Sequence, residues 1–105
     1  MTYIEALRAG DASKLASVFS ENGIFDDHAP TAMGMEPMVL EGMKAIEDMF
    51  SALLAGGGLN VQNVAYNENA IRYDMVLSDS MIVRALGVYR EENGKIAHYH
   101  VVPTE

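Results

Sequence analysis

The hydrophobic period changes once, at Gly56-Gly57-Gly58, and that change restricts the layouts open to the chain. Before it, apolar residues recur at spacings of three and four. Ile4 and Leu7 follow a Thr2/Glu5 capping-box pattern that ends at Gly10, which predicts a short first helix. Asp11 can cap a second helix over residues 11–20, with Leu15, Val18 and Phe19 as its buried stripe and Asn22-Gly23 as its stop. Residues 24–27 form a brief strand. Residues 28–41, with two prolines and a glycine, form a loop that could act as a lid. Ala45, Ile46, Met49, Phe50, Leu53 and Leu54 define an amphipathic third helix over residues 42–54. The triple glycine that ends it has no Lys-Ser/Thr behind it and is not a phosphate loop.

After the glycines the period is that of strands, over residues 60–66, 70–78, 81–90 and 95–102. The breaks are Asn67-Glu68-Asn69, Ser78-Asp79-Ser80 and Glu92-Asn93-Gly94, the last a strong hairpin signal. Three helices and an antiparallel meander predict a segregated α+β fold, with a curved sheet wrapped around the helices. At 105 residues the chain is expected to be one domain with at most one pocket.

Composition narrows the partners. With 15 acidic against 7 basic residues the net charge is −8, which repels phosphate backbones and anionic membranes, so neither nucleic acid nor a membrane is expected as a partner. Without cysteine there is neither a disulfide nor thiol chemistry. No basic-then-apolar leader is visible at the N-terminus and no run approaches spanning length, so the expected location is the cytoplasm. Eight methionines beside five tyrosines and three phenylalanines suit an irregular apolar cavity, a plain core or an oligomer interface equally. Met33, Met35, Met38 and Met43 could line a cavity mouth or simply pack in the core.

Asp27 ends the expected first strand. Carried inside the fold, such a carboxylate gains a raised pKa and becomes a general base; left at the surface, it caps a turn or faces water. Arg72 and Asp74 fall on one strand face and could enter a pocket or form a surface ion pair. His98 and His100 also share a face, and with Asp26 could chelate a metal.

The order of elements resembles that of the NTF2-like (cystatin-like) cone. Several strings are similar to its SnoaL, ketosteroid isomerase and limonene epoxide hydrolase branches: Tyr3-Ile4-Glu5-Ala6-Leu7-Arg8-Ala9-Gly10-Asp11, residues 15–19, residues 42–50, and Leu86-Gly87-Val88-Tyr89 followed by Asn93-Gly94-Lys95-Ile96. By resemblance to ketosteroid isomerases, Asp27 falls at the proton-shuttling base and Tyr3 at the oxyanion-donating tyrosine. The third group of that site, a protonated aspartic acid, falls at Leu86 or Gly87, and neither can donate. Losing one such donor costs about 10²- to 10³-fold in rate, which argues against ketosteroid isomerisation itself.

By resemblance to limonene epoxide hydrolases, Arg72-Tyr73-Asp74 matches the Arg-x-Asp motif. The second carboxylate falls at Val101, and the water-holding Tyr and Asn fall at Phe25 and Asp27; Asp27 could replace the absent base. The resemblance also directs Tyr99 and Val101 into the cavity and the two histidines to the convex face, at a subunit interface rather than on a metal. The face bearing Ile71, Tyr73, Met75 and Leu77 is apolar, and a sheet apolar on both faces needs a second cover, so a homodimer through the sheet is expected. The resulting expectation is a cavity for a small hydrophobic ligand, with no cofactor and no metal. It serves proton transfer next to a carbonyl, epoxide hydrolysis through Asp74, Arg72 and Asp27, or non-catalytic binding.

Overall fold

In the computed structural model, which describes residues 2–78 and 80–104, three α-helices pack on one face of a six-stranded sheet. Helices α1 (Thr2–Ala9) and α2 (Ala12–Ser17) lead into strand β1 (Phe19–Asp27). A 3-10 turn (Ala29–Met33), strand β2 (Met38–Glu41) and helix α3 (Met43–Leu53) follow. The meander is β3 (Asn60–Asn67), β4 (Ala70–Ser78), β5 (Met81–Glu92) and β6 (Lys95–Pro103), and the sheet order is β2-β1-β6-β5-β4-β3. The side chains of Thr2 and Met33 and the turn residue Asp79 lie outside the described residues, and with them the expected capping box, one methionine of the cavity mouth and the centre of one break.

The meander follows the sequence pattern closely. Its last hairpin is closed by Asn93 and Gly94, both at positive φ (53° and 79°), as a two-residue turn requires. The Asp11 side chain accepts the Lys14 amide at 2.9 Å, the expected cap of α2. The helix nevertheless ends at Ser17 instead of residue 20. Residues 19–27 are strand because β6 offers them a complete hydrogen-bonding partner: Phe19 pairs with Ile96 and residues 24–27 pair with residues 98–101, across a bulge that contains Asn22-Gly23. The Phe19 side chain is buried as expected, but from a strand.

Two further expectations need correction. The β1–β6 pairing is parallel, so the sheet is mixed and not wholly antiparallel. The 28–41 segment is not mostly loop, since β2 pairs antiparallel with β1 through Ile24–Glu41 and Asp27–Met38. Val39 and Glu41 are exposed and Met38 and Leu40 partly buried, the alternation of a strand at the sheet edge.

The helical layer is fixed to the far edge of the sheet by close backbone contact. Arg8 donates from Nε and Nη2 to the Val61 carbonyl at 3.1 and 2.8 Å, and the Leu59 amide donates to the Leu7 carbonyl at 2.9 Å. A Cβ at Gly58 would overlap the Arg8 carbonyl, so the triple glycine does more than stop α3: it lets the chain pass directly under α1. The core between the layers holds Tyr3, Leu7, Leu15, Phe19, Phe25, Ile46, Phe50 and Tyr99, all at most 3% exposed. Among the described residues, no helix is long and apolar enough to cross a membrane.

The face assignment of β4 is the main reversal. Ile71 and Tyr73 are buried against the helices, whereas Arg72 is exposed on the outer face. The inner face of β5 carries Val83, Ala85 and Gly87, so Arg84 points outward, with its Nε 4.0 Å from an Asp74 oxygen. The sheet is therefore not apolar outside because of residues 71–77. Ile71, Tyr73, Met75 and Leu77 belong to its inner wall.

Candidate functional site

A cavity of about 290 Å³ lies between α1, α3, the end of β1 and the inner face of β4 and β5. Its walls are almost wholly apolar. Phe25 and Phe50 meet edge to face at 5.2 Å between ring centroids, Met49, Met75 and Val83 fill the sides, and the exposed Met35 and Glu36 stand at the rim. Such a volume is at the lower end for ligand sites and fits a small molecule.

Into this space β1 delivers Asp27, as the last residue of a strand whose alternation turns Phe25 and Asp27 inward and Asp26 outward. Burial pushes the Asp27 carboxyl above its ordinary pKa; the hydrogen bond from the Ala29 amide at 2.9 Å and the neighbouring His28 moderate that rise, and Asp26 adds to it. Both sequence readings of Asp27 are thus realised in one residue. One oxygen caps the turn, and the carboxylate lines the pocket.

Three phenols surround the same point. Tyr3 and Tyr73 line the cavity, and Tyr99 stands behind them with its ring 4.8 Å from that of Tyr3. Burial raises all three well above the usual phenol range, Tyr73 to about 12, and Asp27 adds to each rise, so all are neutral donors at physiological pH. The Tyr99 hydroxyl is buried without an aligned hydrogen-bond partner.

No protein-family model matches the chain, and no curated protein matches it in sequence. Solved structures do. An NTF2-like protein of unknown function from Cytophaga hutchinsonii superposes with a TM-score of 0.69 at 20% identity, over 98% of this chain and 84% of that one. A protein with a cystatin-like fold from Methylobium petroleophilum gives 0.72 at 12% identity, over 99% and 72%. A hypothetical protein from Catenulispora acidiphila with a ketosteroid isomerase-like fold, solved in complex with trimethylamine, gives 0.68 at 14% identity, over 95% and 80%. The chain has the NTF2-like fold.

Within this NTF2-like frame the sequence-derived residues separate into two groups. Asp27, Tyr3 and Phe25 meet in the cavity. Tyr99 and Val101 face inward and are fully buried, one layer behind the cavity wall. Arg72 and Asp74 are not brought to the pocket: Asp74 lies on the outer face, where it accepts from the Asn63 side chain at 2.8 Å and stands near Arg84 rather than Arg72. That strand face lies at the surface, but the charged pair on it is Asp74 with Arg84 and not the expected Arg72 with Asp74. Of the four methionines expected at the mouth, Met35 and Met38 line the cavity, whereas Met43 packs against the core.

Tyr73, Met75 and Leu77 are the wall residues that sequence reasoning assigned to the wrong face. The signal was present: alternate residues of β4 are Ile, Tyr, Met and Leu on one side and Arg, Asp, Val and Ser on the other, and the more apolar set belongs inside. Leu86 and Gly87 also separate. Leu86 points outward, and Gly87 faces inward, where a Cβ would overlap the Tyr99 ring and hydroxyl. The position that cannot donate is thus occupied by a phenol from the neighbouring strand.

Proposed function

We propose that this chain is a small-molecule enzyme of ketosteroid isomerase type that moves a proton next to a carbonyl. The observation that carries the reading is a half-buried carboxylate, raised in pKa, facing neutral phenols in an otherwise apolar cavity. Asp27 takes a proton from the carbon beside the carbonyl, and the C–H electron pair shifts into an enolate whose negative charge gathers on oxygen. Tyr3, supported by Tyr73, donates to that oxygen, and the proton returns from Asp27 to a conjugated carbon. A carboxylate base raised by burial and donors held away from water are what this step needs. Tyr99 packs against Gly87 one layer behind the wall, where it backs the Tyr3 and Tyr73 phenols and does not itself reach the substrate.

The test follows conjugated-enone absorbance with a small β,γ-unsaturated ketone. Wild type converts it and Asp27→Asn does not; equal rates would remove the proposal. Epoxide hydrolysis draws no support from this geometry, since its acid and arginine lie on the opposite face of the sheet. Non-catalytic binding is favoured by one contact, the Ala29 amide on Asp27. That reading predicts an ordinary carboxylate titration by NMR and ligand binding unchanged in Asp27→Asn. A homodimer through the outer face belongs to the same proposal, supported by the exposed Ile82 and Val88, and sedimentation of Val88→Lys as a monomer is its check.

A further inference from the structure

The chain contains three histidines, at positions 28, 98 and 100, and all three gather around one carboxylate, that of Asp26. Parallel pairing sets Asp26 directly beside His100 and Ile24 beside His98, and strand alternation turns Asp26, His98 and His100 to the outer face. His28 follows β1, and its amide donates to the Val101 carbonyl at 2.7 Å, which brings its ring to 5.0 Å from that of His100. The Nδ1 of His100 lies 3.0 Å from Asp26 Oδ2, and His98 Nε2 lies 3.9 Å from the same oxygen. One donor atom from each of Asp26, His98 and His100 falls within 4.8 Å of the others.

The second carboxylate oxygen is the informative one. Asp26 Oδ1 is buried and makes no aligned hydrogen bond, although His28 Nε2 is 2.9 Å away. Two ring nitrogens and a carboxylate converging at these distances suit a shared cation. In a tetrahedral zinc site with bonds of about 2.0–2.1 Å, donor atoms stand about 3.3 Å apart, a spacing that the 3.0 and 3.9 Å separations bracket.

We propose that Asp26, His98 and His100 form a site for a divalent transition metal of the zinc type, with His28 orienting the Asp26 carboxylate or completing the ligand set. Imidazole and carboxylate donors select zinc and its neighbours over calcium and magnesium, which prefer oxygen alone. The half-exposed histidines leave a coordination position open to water. An ion here ties β1 to β6 at the strand end whose next residue, Asp27, enters the pocket from the other side.

The untagged full-length chain, stripped with EDTA, is titrated with Zn²⁺ by calorimetry, with Mg²⁺ and Ca²⁺ as controls. One Zn²⁺ per chain, with a raised thermal midpoint, is expected. His28→Gln weakens binding by about 10- to 100-fold, as the loss of an orienting partner does, and His98→Gln or His100→Gln weakens it more. All three positions are partly exposed, so these variants should fold, and circular dichroism checks that they do. Co²⁺ in place of Zn²⁺ should give visible absorption bands of low coordination number that vanish in the His98→Gln/His100→Gln double variant. No saturable Zn²⁺ binding, or binding unchanged in that double variant, overturns the proposal.

Discussion

Asp26 and Asp27 are chain neighbours with opposite chemistry. Asp27 turns inward among phenylalanine and tyrosine rings, and burial raises its carboxyl. For Asp26, partial burial also acts upward, but the His100 hydrogen bond and the nearby His28 and His100 outweigh it and hold the carboxyl below its ordinary range. The two residues have the same side chain and differ only in which face of β1 they occupy. A strand end thus makes one aspartate a candidate base and its neighbour a carboxylate that keeps its charge further into acid, because alternation assigns each a different medium.

The strongest test of this contrast is catalytic. Asp27→Asn should lower kcat/KM for a β,γ-enone by about 10²- to 10⁴-fold, the usual worth of a general base. Asp74→Asn, on the outer face, should stay within about twofold of wild type. A comparable loss in both would mean that the two faces are not functionally distinct. Tyr3→Phe comes next, with a loss of about 10²- to 10³-fold in kcat if its hydroxyl meets the enolate oxygen, read by steady-state kinetics.

Packing gives the next largest effect. Gly87→Ala drives a methyl into the Tyr99 ring and should cost about 1–3 kcal/mol in urea unfolding, whereas Ser51→Ala, exposed on α3, should stay within about 0.5 kcal/mol. Alkali should act on the inner face in the same way. The folded state holds Tyr73 protonated to about pH 12, whereas the unfolded chain ionises near 10. Between those values the unfolded state binds fewer protons, so stability falls as pH rises, on the order of 2 kcal/mol from this residue alone, and Tyr73→Phe should flatten that slope.

How much of this was legible in the sequence follows from which forces act locally. The β3–β6 boundaries, the Asp11 cap and the Asn93-Gly94 turn are local chemistry and could be read directly. Asp27, Tyr3 and Phe25 were found through resemblance combined with alternation. The early end of α2 was not legible, because it depends on β6, which lies more than seventy residues away in the chain and offers Phe19 a ladder partner. The face of β4 was misread for a different reason: the Arg72-Tyr73-Asp74 string suggested a pocket motif, and that similarity outweighed the plainer fact that Ile71, Tyr73, Met75 and Leu77 are the apolar set. His28 was missed as a partner of Asp26 because it follows the end of its strand, where alternation no longer says which way a side chain turns.

The smallest effect runs against intuition. An inward carboxylate with a raised pKa is a cost to the folded protein at neutral pH, because the unfolded chain ionises it more readily. Below the ordinary carboxylate value of 3.8 both states are protonated and the cost is absent. As pH climbs from there through the raised folded value, the unfolded state loses its proton first and stability declines; above that value the deficit is complete. An asparagine at this position never ionises, and its side-chain oxygen can still accept the Ala29 amide. Asp27→Asn should therefore be more stable than wild type at pH 7, with a higher thermal midpoint and the difference fading toward pH 3. Wild type and variant melting together at every pH would mean that Asp27 reaches water as freely as any surface acid, and the contrast with Asp26 would then rest on the histidines alone.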